Sequence, residues 1–265
     1  MTGSVVELRP TIDRAWLERV GAVHPITHAF ALWDLERTPD RVRFFSAVEG
    51  DTPLGYLLVW LGHPTATIVH WVGDDPLLAG LARLLPPRPL VAIVPRGVRD
   101  LVVAARGPAR EYASLQMARI AAATTPASEP APGVRPLERT DVPRLAAWAR
   151  RQRDPVVATY PYLDPEADRI WGAFEGAELV GAVHAEVRLP RVWILGGVYV
   201  DPSVRGQGYG RALVGAAVHA AEATGAQVGL YVREDREDAR RVYEDLGFRT
   251  VDRRVWLDLG AGLAP

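Results

Sequence analysis

Short apolar runs, cut by glycine, proline and acidic turns, recur along most of this chain. In the first half, strand-length runs at 42–48, 54–61 and 65–72 are separated by Glu49-Gly50-Asp51 and Gly62-His63-Pro64. Before them, VVELRP at 5–10 reads as a short strand. A helix capped by Thr11 runs to about Val20, and a second spans Ile26 to Arg37, where Thr38-Pro39 stops it. After them come a short helix near 77–85, an apolar strand at 90–94, a helix at 98–104 and a strand at 112–120. The second half repeats the alternation. A strand at 134–137 and a capped helix at 140–151 lead through irregular 153–168 to strands at 169–174, 179–187 and 192–200. A helix from Arg211 to about Thr224, a strand at 227–232, a helix at 237–246 and a strand at 250–259 complete it.

Set side by side, the halves match. RVRFFSAVEGDTPLGYLLVWLGHPTATIVHWVGDDP reads against RIWGAFEGAELVGAVHAEVRLPRVWILGGVYVDP as strand, acidic-Gly turn, strand, Pro turn, strand, Asp-Pro. Beyond Asp-Pro they diverge: the second half enters RGQGYG, whereas the first passes from Asp75-Pro76 straight into LLAGLARLL. The pattern predicts two related α+β modules, each a mixed, mostly antiparallel sheet flanked by helices. The first, 1–120, lacks the glycine loop and is a structural module or a wall of the substrate cleft. Residues 121–133, AAATTPASEPAPG, have almost no core formers and read as a linker, leaving 134–265 as the second module.

Composition narrows the chemistry. At 265 residues, 48% hydrophobic and a formal net charge of −1, the chain reads as a globular protein with ample core and no bulk attraction to nucleic acid. Cysteine is absent, which excludes disulfides, thiolate nucleophiles and Cys-metal sites, and the six His lack ligand spacing, so no metal is expected. No apolar run approaches a membrane span and no leader pattern opens the chain, so a cytoplasmic protein without membrane contact is expected. All 31 basic residues are Arg, which leaves no lysine for a Schiff base or a neutral amine base.

The most informative stretch is Val198 to Val214, VYVDPSVRGQGYGRALV. The strand Val198-Tyr199-Val200 ends at Asp201-Pro202, and Arg205-Gly206-Gln207-Gly208-Tyr209-Gly210 opens a helix at Arg211. Glycines there let backbone N–H groups approach a ligand at a helix N-terminus, where unpaired donors and the dipole favour an anion such as pyrophosphate. A Walker loop needs a lysine this chain does not have, and the order is not the G-x-G-x-x-G of a first βα turn.

The order R-x-x-G-x-G after a V-x-V strand resembles motif A of the GNAT superfamily of acyl-CoA-dependent N-acyltransferases. The resemblance covers about residues 134–259 and includes that family's later A-x-x-x-Y-x-x-x-G-F pattern, here Ala239, Tyr243, Gly247 and Phe248. It implies two GNAT-like modules, the first degenerate, and transfer of an acetyl group from acetyl-CoA to an amine of a small molecule or peptide by a monomer or homodimer. The bilobal layout also resembles tandem GNATs and glycine N-acyltransferase-like enzymes. The resemblance further implies that Val198, Tyr199 and Val200 pair with the pantetheine arm and that 205–210 with Arg211 hold the pyrophosphate. Tyr243 then protonates the departing thiolate. Two departures stand out. Arg236 occupies a position where many members carry Asn, and could instead reach a coenzyme A phosphate. The stretch 194–196, where many members carry an acidic base, has no acid. On the neighbouring strand His184 and Glu186 share a face by the period of two, and either could take the proton. Tyr160 and Tyr162 are candidates for the acceptor wall. The competing reading is a non-catalytic coenzyme A-binding or interaction protein.

Overall fold

A computed structural model describes residues 6–63, 66–73, 75–87, 89–120, 133–152, 154, 157, 160, 163 and 169–262. Tyr162 and 121–132, which hold nearly all of the expected linker, lie outside these. The strands and helices are β1 (Val6–Arg9), α1 (Arg14–Val23), α2 (Pro25–Arg37), β2 (Val42–Glu49), β3 (Thr52–Trp60), β4 (Thr67–Val72), β5 (Leu90–Pro95), α3 (Arg99–Arg106) and β6 (Arg110–Arg119). They continue as β7 (Val134–Pro136), α4 (Val142–Arg151), β8 (Ile170–Glu175), β9 (Glu178–Leu189), β10 (Val192–Val200), α5 (Tyr209–Glu222), β11 (Gln227–Arg233), α6 (Glu237–Asp245) and β12 (Phe248–Leu259). No helix among the described residues is long and apolar enough to cross a membrane.

The chain divides into two compact units, Met1–Leu115 with Asp252–Pro265, and Gln116–Val251. These bounds differ from the composition-based 1–120 and 134–265. Arg254–Leu259 of β12 pair antiparallel with Leu90–Pro95, and Val255, Leu257 and Leu259 enter the first unit's core. Long-range strand pairing of this kind leaves no mark on local composition.

In the first unit the strands run β1-β2-β3-β4-β5-β12, antiparallel except for the β4/β5 pair. Alternation along β3 sends Leu57 and Val59 to one face, with Trp71, Leu81, Val94 and Val102. Tyr56 and Leu58 go to the other, under Leu17 and Ala31 of α1 and α2. Two local expectations change. The N-cap of α1 is Asp13, whose Oδ1 accepts from Trp16 N at 3.0 Å, while the Thr11 carbonyl takes the Ser46 hydroxyl at 2.8 Å. The segment after β4 is 3-10 rather than α, over Pro76–Leu84, started by Asp75 accepting from Leu77 N.

The second unit orders β11-β10-β9-β8-β7, antiparallel except for the β10/β11 pair. The run β8-β9-β10-β11 therefore repeats the pairing of β2-β3-β4-β5, two antiparallel steps and one parallel, as the internal sequence match requires. One sheet face holds Leu145 and Trp148 of α4 with Tyr160, Ile170 and Ala182. The opposite face takes α5, whose Leu213 Cδ1 lies where a side chain on Gly181 would go.

Candidate active site

The site is built on β10. Its parallel pairing with β11 matches Val192–Leu195 to Gln227–Leu230, although β10 continues to Val200 and β11 to Arg233. On its other edge the register with β9 slips twice. Ile194 faces Val187 and Leu195 faces Ala185, so Glu186 is an extra residue on β9. Gly196 faces His184 and Tyr199 faces Ala182, so Gly197 and Val198 together oppose Val183. Gly197 makes this bulge possible with φ +62, a conformation few other residues adopt.

Neither glycine has room for a side chain. A Cβ on Gly196 would stand 2.6 Å from Glu186 Oε2, and one on Gly197 would stand 2.8 Å from His184 Cδ2 and 2.9 Å from the Tyr160 hydroxyl. His184 and Glu186 thus meet at this dipeptide, as their shared face suggested. Their environments differ. His184 is buried, its Nδ1 has no hydrogen-bond partner among the described residues, and burial pushes its pKa down to about 4, so it is neutral at physiological pH. Desolvation of the Glu186 carboxyl raises its pKa, although the residue keeps a solvent-facing side.

Downstream, a 3-10 turn at Pro202–Val204 leads into the glycine loop. Gly206 (φ +77) and Gly208 (φ +88) both have open space where a Cβ would project. Gly208 is the N-cap of α5, and the first intrahelical bond runs from Ala212 N to Gly208 O at 3.0 Å, which leaves the N–H groups of Tyr209, Gly210 and Arg211 without helical acceptors. Gln207 is exposed beside them. Arg205 donates through Nε to the Val200 carbonyl at 3.0 Å and lies over the Tyr199 ring, tying the loop back to the strand. Arg211 pairs with Asp245 at 3.2 Å and Arg236 with Asp238 at 3.3 Å. Such solvent-exposed pairs hold weakly against a competing anion.

Tyr243, on α6, is buried edge-on to Phe248, and desolvation pushes its phenol up to about 12, with Arg236 pulling the other way. Tyr160 is fully buried, and its hydroxyl donates to the Gly197 carbonyl at 2.6 Å. Burial raises its pKa, and Glu186 and Tyr243 add to the rise, which places the three in one neighbourhood. The loop, the bulge and α6 belong to one segment. Residues 134–248 match the acetyltransferase (GNAT) family. The match covers 115 of the chain's 265 residues, the segment that holds the bulge, the glycine loop and Tyr243.

The mycothiol acetyltransferase of Gordonia bronchialis is 35% identical over 113 residues, 40% of this chain and 35% of its own length. The chain spans about a third of the length of the curated relatives it matches, between 29% and 35%. A tandem GNAT protein from the clavulanic acid biosynthesis pathway superposes with a TM-score of 0.60 at 17% identity, over 98% of this chain and 100% of that one. A GCN5-related N-acetyltransferase from Sphaerobacter thermophilus gives 0.62 at 19%, over 95% and 94%. At these identities the two structures show the fold, a two-module GNAT architecture.

The arrangement has features that an acyl-CoA ligand would fit: open glycines and free N–H groups at a helix start, beside a strand freed from its parallel neighbour. Among the described residues no group of three or more His, Asp or Glu is placed to hold a metal. In the sequence, 193–197 reads only as a stretch without an acid. The Gly196-Gly197 doublet inside a strand is the missed signal, since glycine there marks a bulge or a close approach.

Proposed function

We propose that the second unit transfers the acetyl group of acetyl-CoA to the amine of a small molecule. The observation that carries this reading is the bulged, half-freed β10 leading into the glycine loop, with the Glu186 carboxylate against the bulge. Val198–Val200 would receive the pantetheine arm, and the N–H groups of Tyr209, Gly210 and Arg211 the pyrophosphate, with Arg205 bracing the loop. Bound there, acetyl-CoA supplies a thioester carbon open to attack.

Glu186 is assigned as proton acceptor, because His184 at about 4 is too weakly basic and is closed off from solvent. A carboxylate is a weaker base than an amine, so proton transfer to it is least uphill from weakly basic amines such as α-amino or amino-sugar groups, and the likeness to mycothiol acetyltransferases supports a small-molecule acceptor.

Tyr243 remains a phenol at neutral pH. With its pKa pushed up to about 12, complete proton transfer to a thiolate of pKa near 8.5 would be uphill by ~5 kcal/mol. Its assigned part is therefore a hydrogen bond to the sulfur, not full protonation. The first unit, where Asp75 leads directly into 3-10 backbone, is assigned no coenzyme A.

The test is amine-dependent thiol release from acetyl-CoA, followed with a thiol reagent. The chain has no cysteine, so every thiol detected is coenzyme A. Release with weakly basic amines supports the proposal. Coenzyme A uptake without release from any amine would make the protein a non-catalytic binder.

A further inference from the structure

The freed half of β10 is held from one side by three side-chain hydrogen bonds spaced two residues apart. The Tyr160 hydroxyl donates to the Gly197 carbonyl at 2.6 Å, the Tyr199 hydroxyl donates to Gln152 Oε1 at 3.3 Å, and Trp148 Nε1 donates to Asp201 Oδ1 at 3.0 Å. Residues 197, 199 and 201 alternate onto one face, and all three partners come from the end of α4 or the segment after it. Trp148 and Tyr160 are fully buried. The Trp148 ring meets Tyr160 edge-on at 5.7 Å and Tyr199 at 5.9 Å, so the three rings lock one another.

Beyond Leu195 the ladder to β11 no longer supports this stretch. On the other edge it keeps only the pairs Tyr199 with Ala182 and Val200 with Gly181, and Asp201 N on Val180 O. A glycine at positive φ sits at its start. A strand with one bare edge and a permissive hinge would otherwise sample other registers or close back on β11.

We propose that Trp148, Gln152 and Tyr160 form a brace that sets the backbone of Gly197–Asp201 in its open arrangement before any ligand arrives. They are positioning residues: none touches a reacting atom. The inference rests on the reading that this stretch receives the arm of coenzyme A, and it deepens that reading. Ordering the strand in advance removes an entropy cost from binding.

Tyr160→Phe keeps the ring in the aromatic cluster and deletes one donor. In the free protein, amide hydrogen exchange at Tyr199, Val200 and Asp201 should quicken about tenfold, and coenzyme A should bind about tenfold more weakly, as for one lost buried hydrogen bond. The KM for acetyl-CoA should rise while kcat stays within about twofold, a split that a mere packing role would not produce. Gln152→Ala, at a partly exposed position, should give the same pattern about threefold. Exchange unchanged from wild type in both folded variants overturns the brace, whatever coenzyme A does. Wild-type protein that binds no coenzyme A overturns the functional reading instead, and the exchange rates still decide on the brace.

Discussion

A paired glycine substitution separates stability from binding at the loop. Gly208 holds φ +88 as the N-cap of α5, with nothing within 4 Å of the position a methyl would take, so Gly208→Ala meets no clash. Its cost is conformational, ~1–2 kcal/mol for a left-handed alanine, or a fall in Tm of roughly 2–8 °C. Gly210 lies in the first turn of the helix without a positive φ, and a Cβ there would touch only Val200 Cγ2 at 3.8 Å, an ordinary contact. Gly210→Ala should therefore stabilise the protein, by up to ~1 kcal/mol. Both methyls are added in the turn that carries the free N–H groups. If those groups hold pyrophosphate, each variant loses at least one charge-assisted hydrogen bond, ~1.5–3 kcal/mol, and binds coenzyme A roughly 10- to 100-fold more weakly. Calorimetric titration with coenzyme A beside thermal melts reads both quantities. The Gly210 variant is diagnostic, because it should be more stable and yet bind worse. Two folded variants with wild-type affinity would refute the assignment of the loop.

Glu186→Gln should lower kcat/KM at pH 7 by about 10²–10⁴-fold and abolish the rise in activity that follows ionisation of the carboxyl. Tyr243→Phe should slow turnover roughly 10- to 100-fold with coenzyme A affinity unchanged, checked by steady-state kinetics. In the first unit His28 is buried against the Tyr56 hydroxyl with its pKa lowered to about 4, so its contribution is present above about 6.5 and lost on acidification. It should cost about 2 kcal/mol at pH 5, visible as a urea midpoint that falls less steeply with pH in His28→Phe. Titration should saturate at one coenzyme A per chain; two would show that the first unit also binds.

Much of this layout could be read from local pattern. The strand over 192–200 coincides with β10 residue for residue, because its residues favour extended backbone and Asp201-Pro202 ends the run. The shared face of His184 and Glu186 followed from the period of two. What stayed hidden depends on partners distant in the chain. The attachment of β12 to β5 is a pairing choice between residues about 160 apart. Glu186 becomes an inserted residue only through its register with β10, and only packing leaves it exposed while His184 is buried. Tyr160, expected on the acceptor wall, turns its hydroxyl to a backbone carbonyl at a bulge visible only once β9 and β10 are paired.

The central claim is that the bulge at Gly196-Gly197 and the glycine loop of 205–210 form one acetyl-transfer site. It is tested most directly by incubating the protein with acetyl-CoA and a panel of amines, recording free thiol and the mass of each amine together. One acetylated amine is expected for each thiol released, with weakly basic amines ahead of alkylamines, and loss of both signals in Glu186→Gln. Thiol release that does not depend on the amine, or full activity in the Gln variant, would contradict it.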